Sequence, residues 1–168
     1  MMRTRHQMAV AVHLWLSDDA GRILFMRRHN SGYADGQWSV PAGHVERGES
    51  LVAACLREAF EEIGIRVKAS ALEFRLLQHK RDIDGEERID VFFAATCPPG
   101  QRPRIVEPHR CDAIEWRPRL TPPLPLVPYV AAALIHTETR EWPSINCWGF
   151  DDDDGSCDAA VRGEVTAH

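Results

Sequence analysis

The chain has 168 residues, 44% of them hydrophobic and 27% charged, with a formal net charge of −5. That size fits one domain able to bury a core without staples, and the balance excludes a disordered chain. The acidic total, with basic residues only in short groupings such as "MRR" (Met26 to Arg28), excludes an extended nucleic-acid groove, which needs a basic face.

In chain order, "AVAVHLWLS" alternates, with Val10, Val12, Leu14 and Leu16 on one side, and predicts a half-buried strand. Its lead-in carries basic residues, but the apolar run contains His13, ends in acids and lacks a small-residue cleavage site, so it reads as a strand and not as a leader. "SDDAGR" is a turn and "RILFMRR" a second strand, making Met8 to Arg28 a predicted hairpin. "HNSGYADG" is a loop, and "QWSVPAGHV" is short, extended and broken by Pro41 and Gly43. A helix is predicted from Ser50, its N-cap, to Ile63, stopped by Gly64.

Asp84-Gly85 joins two further strands as a hairpin turn, "LEFRLLQHKRD" before it and "ERIDVFFAAT" after it. "CPPGQRPRIVEPHR" is too long for a simple turn and is expected to be functional or mobile. "CDAIEWRP" is a short strand, and "LTPPLPLVP" a stiff connector whose prolines do not fit inside a sheet. A second helix starts at Pro128 in "PYVAAALIHTETRE". "SINCWGF" carries Trp148 and Phe150, and is expected to close the cleft or to pack. From about Asp151 the chain is acidic and weakly apolar, so 151–168 is expected to be a disordered tail and 1–150 the domain. Strands outnumber helices and the helices lie between them, so the class is α/β or α+β with a mixed sheet.

The five cysteines have no CxxC spacing, which argues against a zinc site or a disulfide framework and for free thiols in a reducing compartment. With no run of membrane-spanning length, a cytoplasmic protein is expected.

The first helix carries Glu58, Glu61 and Glu62. On a wheel of about 100° per residue, Val52, Leu56, Ala59, Phe60 and Ile63 share one arc, the expected core face. Glu58 and Glu62 fall on the opposite half, with Glu61 flanking them. Like charges at this spacing cost a few tenths of a kcal/mol per pair. Two readings fit the helix alone: a solvated acidic face, or a site for Mg²⁺ or Mn²⁺, which all-oxygen donors suit better than zinc.

The segment Gly43, Glu49, Arg57, Glu58, Glu61, Glu62, Gly64 and Ile65 resembles the complete Nudix box, with every polar and glycine position filled and Ala59 as the one soft departure. The lead-in and flanking strands resemble the family over roughly residues 6–140. The resemblance implies a Nudix-type α/β/α sandwich with a mixed β-sheet. It also implies Mg²⁺- or Mn²⁺-dependent hydrolysis of a nucleoside diphosphate linked to another group. By matching positions, Glu58 and Glu62 would be the main metal ligands, Glu61 would contribute directly or through water, and a carbonyl of Ala42 or Gly43 would complete the shell. Arg57 would orient the carboxylates through Glu49. Glu61 is the first choice of general base, with Glu58 and an outside carboxylate as alternatives. Glu107, in the long proline-rich loop, is the candidate for that outside group and for a further metal ligand.

Substrate recognition lies outside the box. One of Arg27 and Arg28 is expected to point into the cleft, since neighbours on a strand alternate. Trp38 is expected to pack in the core, with stacking on a base as its alternative, and Arg88 with Asp90, sharing a face, are candidates to touch substrate. The downstream proline usual in ADP-ribose hydrolases, the tyrosine of dinucleoside-polyphosphate hydrolases and the NADH-type "SQPWPxS" are absent. Elimination favours a nucleoside triphosphate, ordinary or oxidised, cut to monophosphate and pyrophosphate. The alternatives are an ADP-ribose or nucleotide-sugar pyrophosphatase and a non-catalytic nucleotide-binding module. The expected partner is a small nucleotide, with no nucleic-acid polymer and no membrane. A homodimer is a prior from the resemblance alone.

Overall fold

A computed structural model describes residues 6–82, 84–139 and 143–150. Strands β1 (Ala9–Ser17), β2 (Ile23–Arg28), β3 (Trp38–Ser39) and β4 (Ala42–His44) lead to helix α1 (Leu51–Ile63). Strands β5 (Glu73–Arg81), β6 (Glu87–Thr96) and β7 (Cys111–Arg117), helix α2 (Pro128–Thr139) and β8 (Ser144–Trp148) follow.

β1 is the spine of a mixed sheet. It runs parallel to β6 along its whole length, from Ala9 opposite Arg88 to Ser17 opposite Thr96. β6 pairs antiparallel with β5 across the Asp84-Gly85 turn, and β5 pairs parallel with β8. The predicted first hairpin exists only at its base, because β1 and β2 meet at Ser17 opposite Ile23 and then part. β1 continues against β4 at Ala11–His13, while β2 takes β3 and β7 as partners. The reason lies downstream. Both strands carry buried side chains along most of their length, and the short β3–β4 segment supplies a partner to each. The split opens the cleft described below.

Alternation on β1 sorts the layers. Val12, Leu14 and Leu16 join a core with Ala54, Cys55, Ala59 and Ile63 of α1. Trp15 joins a second core with Val130, Ala133 and Leu134 of α2. Helices therefore cover both faces of the sheet in an α/β/α sandwich. The proline-rich connector pairs after all: Trp38 N–H donates to the Pro125 carbonyl and Val127 N–H to that of Trp38, both of which need no proline nitrogen.

"SINCW" is the edge strand β8, and Phe150 beyond it packs its ring 4.5 Å from that of His79. Cys55, Cys97 and Cys111 are free thiols as expected, whereas Cys147, half-buried on β8, is disulfide-bonded, a departure from the all-thiol reading. Among the described residues, no helix is long and apolar enough to cross a membrane. The expectation for 151–168 lies outside the described residues.

Candidate active site

Both ends of α1 are fixed as the sequence requires. The Ser50 hydroxyl accepts from Ala53 N–H at 3.1 Å, and Gly64 stops the helix at φ 70°, a conformation that costs a side chain dearly. Its orientation differs from the wheel. The buried residues are Ala54, Cys55, Ala59 and Ile63, while Val52 and Phe60 are exposed at 36% and 42%. Ala59 and Ile63 are buried as expected, but Ala54 and Cys55 take the places of Val52 and Phe60, which turns the core face by roughly 60° toward the glutamates. Small side chains at Ala54 and Ala59 let the helix approach the sheet closely, and Glu58 and Glu62 are carried inward with them.

The carboxylates land on the β4 loop. Ala42 N–H donates to Glu62 Oε2 at 2.9 Å. Gly43 lies so close to Glu58 that a Cβ there would sit 1.9 Å from its Oε1, so no residue with a side chain fits. Arg57 ties the group together. Its Nε and Nη2 grip both oxygens of Glu49 at 2.9 and 3.0 Å, and Nη2 also donates to the His44 carbonyl at 3.1 Å. Its Nη1 reaches Glu58 at 2.6 Å and Glu61 at 3.1 Å. The Arg57 hydrogen bonds hold the Glu49 carboxyl below its ordinary value, and Glu49 in turn holds the guanidinium above its own.

The long loop after β6 is not loose. Arg104 N–H donates to the Ile63 carbonyl and Val106 N–H to that of Glu62, capping the end of α1. That docking sets Glu107 beside Glu62 in the cleft. Burial pushes the Glu62 carboxyl up to about 8, with Glu58 and Glu107 adding repulsion against the Ala42 hydrogen bond. Burial also raises Glu58, although Arg57 pulls it down.

The cleft, ≈ 640 Å³, has Glu58, Glu62, Glu107, Ala42 and Gly43 at one end. Its other walls include Arg27, Arg28, Arg88 and Arg110. Both Arg27 and Arg28 line it, not one of the pair, because the β2–β7 register shifts between them and breaks the alternation. Arg27 is held by Asp112 at 2.7 and 3.1 Å, and Arg28 lies over the ring of Tyr33. Glu61 does not line the cleft. It is half-exposed and turned to Arg57. Among the described residues no three His, Cys, Asp or Glu side chains converge as a ready-made metal cage. Trp38 packs in the second core with the Arg27 guanidinium 5.7 Å above its ring. Asp90 lies wholly buried behind the wall, bonded to His13 and Arg88. Sequence reasoning passed over His13 and Tyr129 as cleft residues. The signal for His13 was an imidazole inside an otherwise apolar strand. Tyr129 gave none, since only the packing of α2 brings it there.

A NUDIX domain profile matches residues 7–132. Among solved structures, the MutT NUDIX hydrolase from Burkholderia pseudomallei is 30% identical, with a TM-score of 0.69 over 77% of this chain and 98% of that one. The NUDIX domain of Shewanella oneidensis NrtR, solved with ADP ribose, shares the fold at 19% identity, with a TM-score of 0.62 over 81% and 90% of the two chains. An RNA pyrophosphohydrolase from Dinoroseobacter shibae is 38% identical over 63 residues, which span 38% of this chain and only 37% of that protein. With the profile covering most of the chain and the box folded as loop and helix, the chain belongs to the NUDIX domain family, among the Nudix hydrolases.

Proposed function

We propose that the protein hydrolyses a phosphoanhydride bond in a nucleoside diphosphate joined to another group, with Mg²⁺ or Mn²⁺ as cofactor. The observation that carries this reading is the meeting of Glu58 and Glu62 with the Ala42–Gly43 backbone, across one cleft from Arg27 and Arg28. The donors fit the ion. All are oxygens, and the contact between Gly43 and the Glu58 carboxylate, which a Cβ would fill, leaves the loop backbone at the carboxylates. Glu58, Glu62 and a carbonyl of Ala42 or Gly43 would hold the cation. Bound there, a divalent ion would neutralise phosphate oxygens and lower the cost of forming the attacking hydroxide.

The chain's own residues supply the rest. Arg57 fixes the rotamers of Glu49 and Glu58, so the ligand oxygens are placed before substrate arrives. Arg27 and Arg28 offer fixed cations to the phosphates on the opposite wall. Of the acids considered for general base, Glu107 lines the cleft with no described side chain bonded to it, whereas Glu61 is engaged by Arg57. Glu107 is therefore placed first, its carboxylate taking the proton of the attacking water.

The favoured substrate is a nucleoside triphosphate, ordinary or oxidised, giving monophosphate and pyrophosphate. A second reading, removal of pyrophosphate from a 5′-triphosphate RNA end, is favoured by the partial match to an RNA pyrophosphohydrolase. Pyrophosphate and phosphate release separates them, measured on free triphosphates (including 8-oxo-dGTP), a 5′-triphosphate oligonucleotide, ADP-ribose and nucleotide sugars, with Mg²⁺ and then Mn²⁺. Turnover confined to one class, and lost in Glu62→Gln, supports the reading for that class. A folded, metal-binding protein silent across the panel overturns hydrolysis in favour of a binding module.

A further inference from the structure

Behind the arginine wall runs a chain of polar groups that the proposed reaction leaves unused. His13, on β1, is 1% exposed, and its Nε2 meets Asp90 Oδ1 at 3.1 Å. Asp90, on β6, is fully buried and also receives Arg88, whose Nε reaches Oδ1 at 2.6 Å and Nη2 reaches Oδ2 at 3.1 Å. Arg88 reaches the cleft. The His13 ring stacks on Phe92 at 4.4 Å, and the Arg88 guanidinium lies 4.9 Å over the ring of Tyr129.

Each link constrains the next. Burial alone would raise the Asp90 carboxyl, but His13 and Arg88 hold it down to about 2, so it is an ionised acceptor. An acceptor-only carboxylate requires His13 Nε2 to carry its proton. Asp90 engages the Nε–Nη2 edge of Arg88, and the Tyr129 hydroxyl interacts with the same guanidinium, which leaves Nη1 outside the Asp90 pair. A planar fork clamped on one edge and stacked on one face has little freedom left, which is what reading a ligand atom requires. Such an arrangement is more than a core needs, since buried ion pairs add little net stability.

Register says what it would read. β4 lies on one side of β1 and β6 on the other, with Ala42 opposite His13, His44 opposite Ala11, and Ala11 opposite Asp90. Arg88 itself stands opposite Ala9, two strand spacings across and three to four residues along from Ala42 and Gly43, roughly 15 Å in all by backbone. At that separation its side chain suits the group the diphosphate carries better than the diphosphate itself.

Resting on the hydrolase reading above, we propose that His13 and Asp90 are positioning residues that hold Arg88 to donate to an acceptor oxygen on the group the diphosphate carries, a base carbonyl or a sugar hydroxyl, and so set substrate preference.

The test compares inosine with adenosine 5′-triphosphate, which exchange a carbonyl for an amine, and each ribonucleotide with its 2′-deoxy form. Wild-type protein should prefer the oxygen-bearing member of one pair by about tenfold in KM. His13→Phe keeps the ring stack and removes the Nε2 donor. It should collapse that preference to within about twofold, with the change in KM and not in kcat. His13→Gln, whose amide N–H can reach Asp90, should restore the preference, which a merely structural histidine would not predict. If His13→Phe does not fold, Arg88→Lys, which keeps the charge and loses the fork, must show the same collapse. A wild type without preference in either pair, or a preference intact in His13→Phe or Arg88→Lys, overturns the inference. Binding of the non-hydrolysable imido analogues to wild type separates the two levels. Binding without the expected discrimination sinks only the role of His13, whereas no nucleotide binding at all sinks the hydrolase reading and this inference together.

Discussion

The two ends of the cleft treat charge in opposite ways. At the guanidinium end, Arg88 is matched by Asp90 and Arg27 by Asp112, and Asp90 is driven down to about 2. At the carboxylate end, Glu58, Glu62 and Glu107 share one Arg57, which contacts only the first of them, and Glu62 is driven up to about 8. The Arg88–Asp90 pair is buried and matched, whereas the three carboxylates at the other end meet in the cleft with less positive charge beside them. That imbalance is what the cation of the proposed reaction would offset.

The largest effect should come from Glu62→Gln. Losing one ligand carboxylate removes several kcal/mol of transition-state stabilisation, so metal-dependent turnover should fall by roughly a thousandfold. In chelator, by contrast, the variant should melt at the same temperature as wild type or higher, since burial already resists ionisation of this carboxyl, pushed up to about 8, and the amide oxygen still accepts from Ala42 N–H. A lower melting temperature in chelator would show that Glu62 serves the fold. Next in size is the choice of base. Glu107→Gln should lower kcat by about a hundredfold or more, with substrate binding retained. Glu61→Gln should cost less than tenfold, because its carboxylate is turned to Arg57 and solvent. The reverse ranking of the two variants would restore Glu61 as the base.

Much of the carboxylate end was legible in the sequence because it is local. Gly43 through Ile65 is one loop and one helix, and the caps at Ser50 and Gly64 are written in residue types. The rotation of α1 was not legible. A wheel weighs hydrophobicity, and large Phe60 and Val52 outvoted Ala54 and Cys55, whereas close packing against the sheet favoured the small residues. The guanidinium end depends on pairings between distant segments. That Arg27 and Arg28 both line the cleft required a bulge opposite β7, and that Asp90 is withdrawn from it required His13 from a strand 77 residues away. Composition gives no sign of either. The missed split of the first hairpin has the same origin, since a local turn was visible and the competing partners β4 and β7 were not.

The matched end has its own signature in acid. Asp90 is depressed in the fold, so its contribution is complete above the unfolded value near 3.9 and is lost as pH falls toward about 2. That loss is on the order of 2 kcal/mol. Denaturant titrations of wild type should therefore steepen between about pH 4 and pH 2, while Asp90→Asn should be less stable at neutral pH and flatter across that window. Parallel curves for the two proteins would mean that His13 and Arg88 do not stabilise the charged form.

The smallest effect tests the orientation of α1, on which the whole contrast rests. If the wheel were right, Phe60 would be a core residue and Phe60→Ala would cost about 3–5 kcal/mol. In the structure it is exposed, with only the Arg66 guanidinium 3.9 Å over its ring, so the cost should stay below about 1 kcal/mol. Ala54→Leu, at a position buried in the structure and off the wheel's core face, should be the worse substitution, at about 1–3 kcal/mol, because it wedges the helix off the sheet. It should also weaken Mg²⁺ binding, since the same movement draws Glu58 away from Gly43, whereas Phe60→Ala should leave metal affinity alone. Equilibrium unfolding and metal titration of the two variants check both halves. A costly Phe60→Ala beside a neutral Ala54→Leu would return the glutamates to the solvent face.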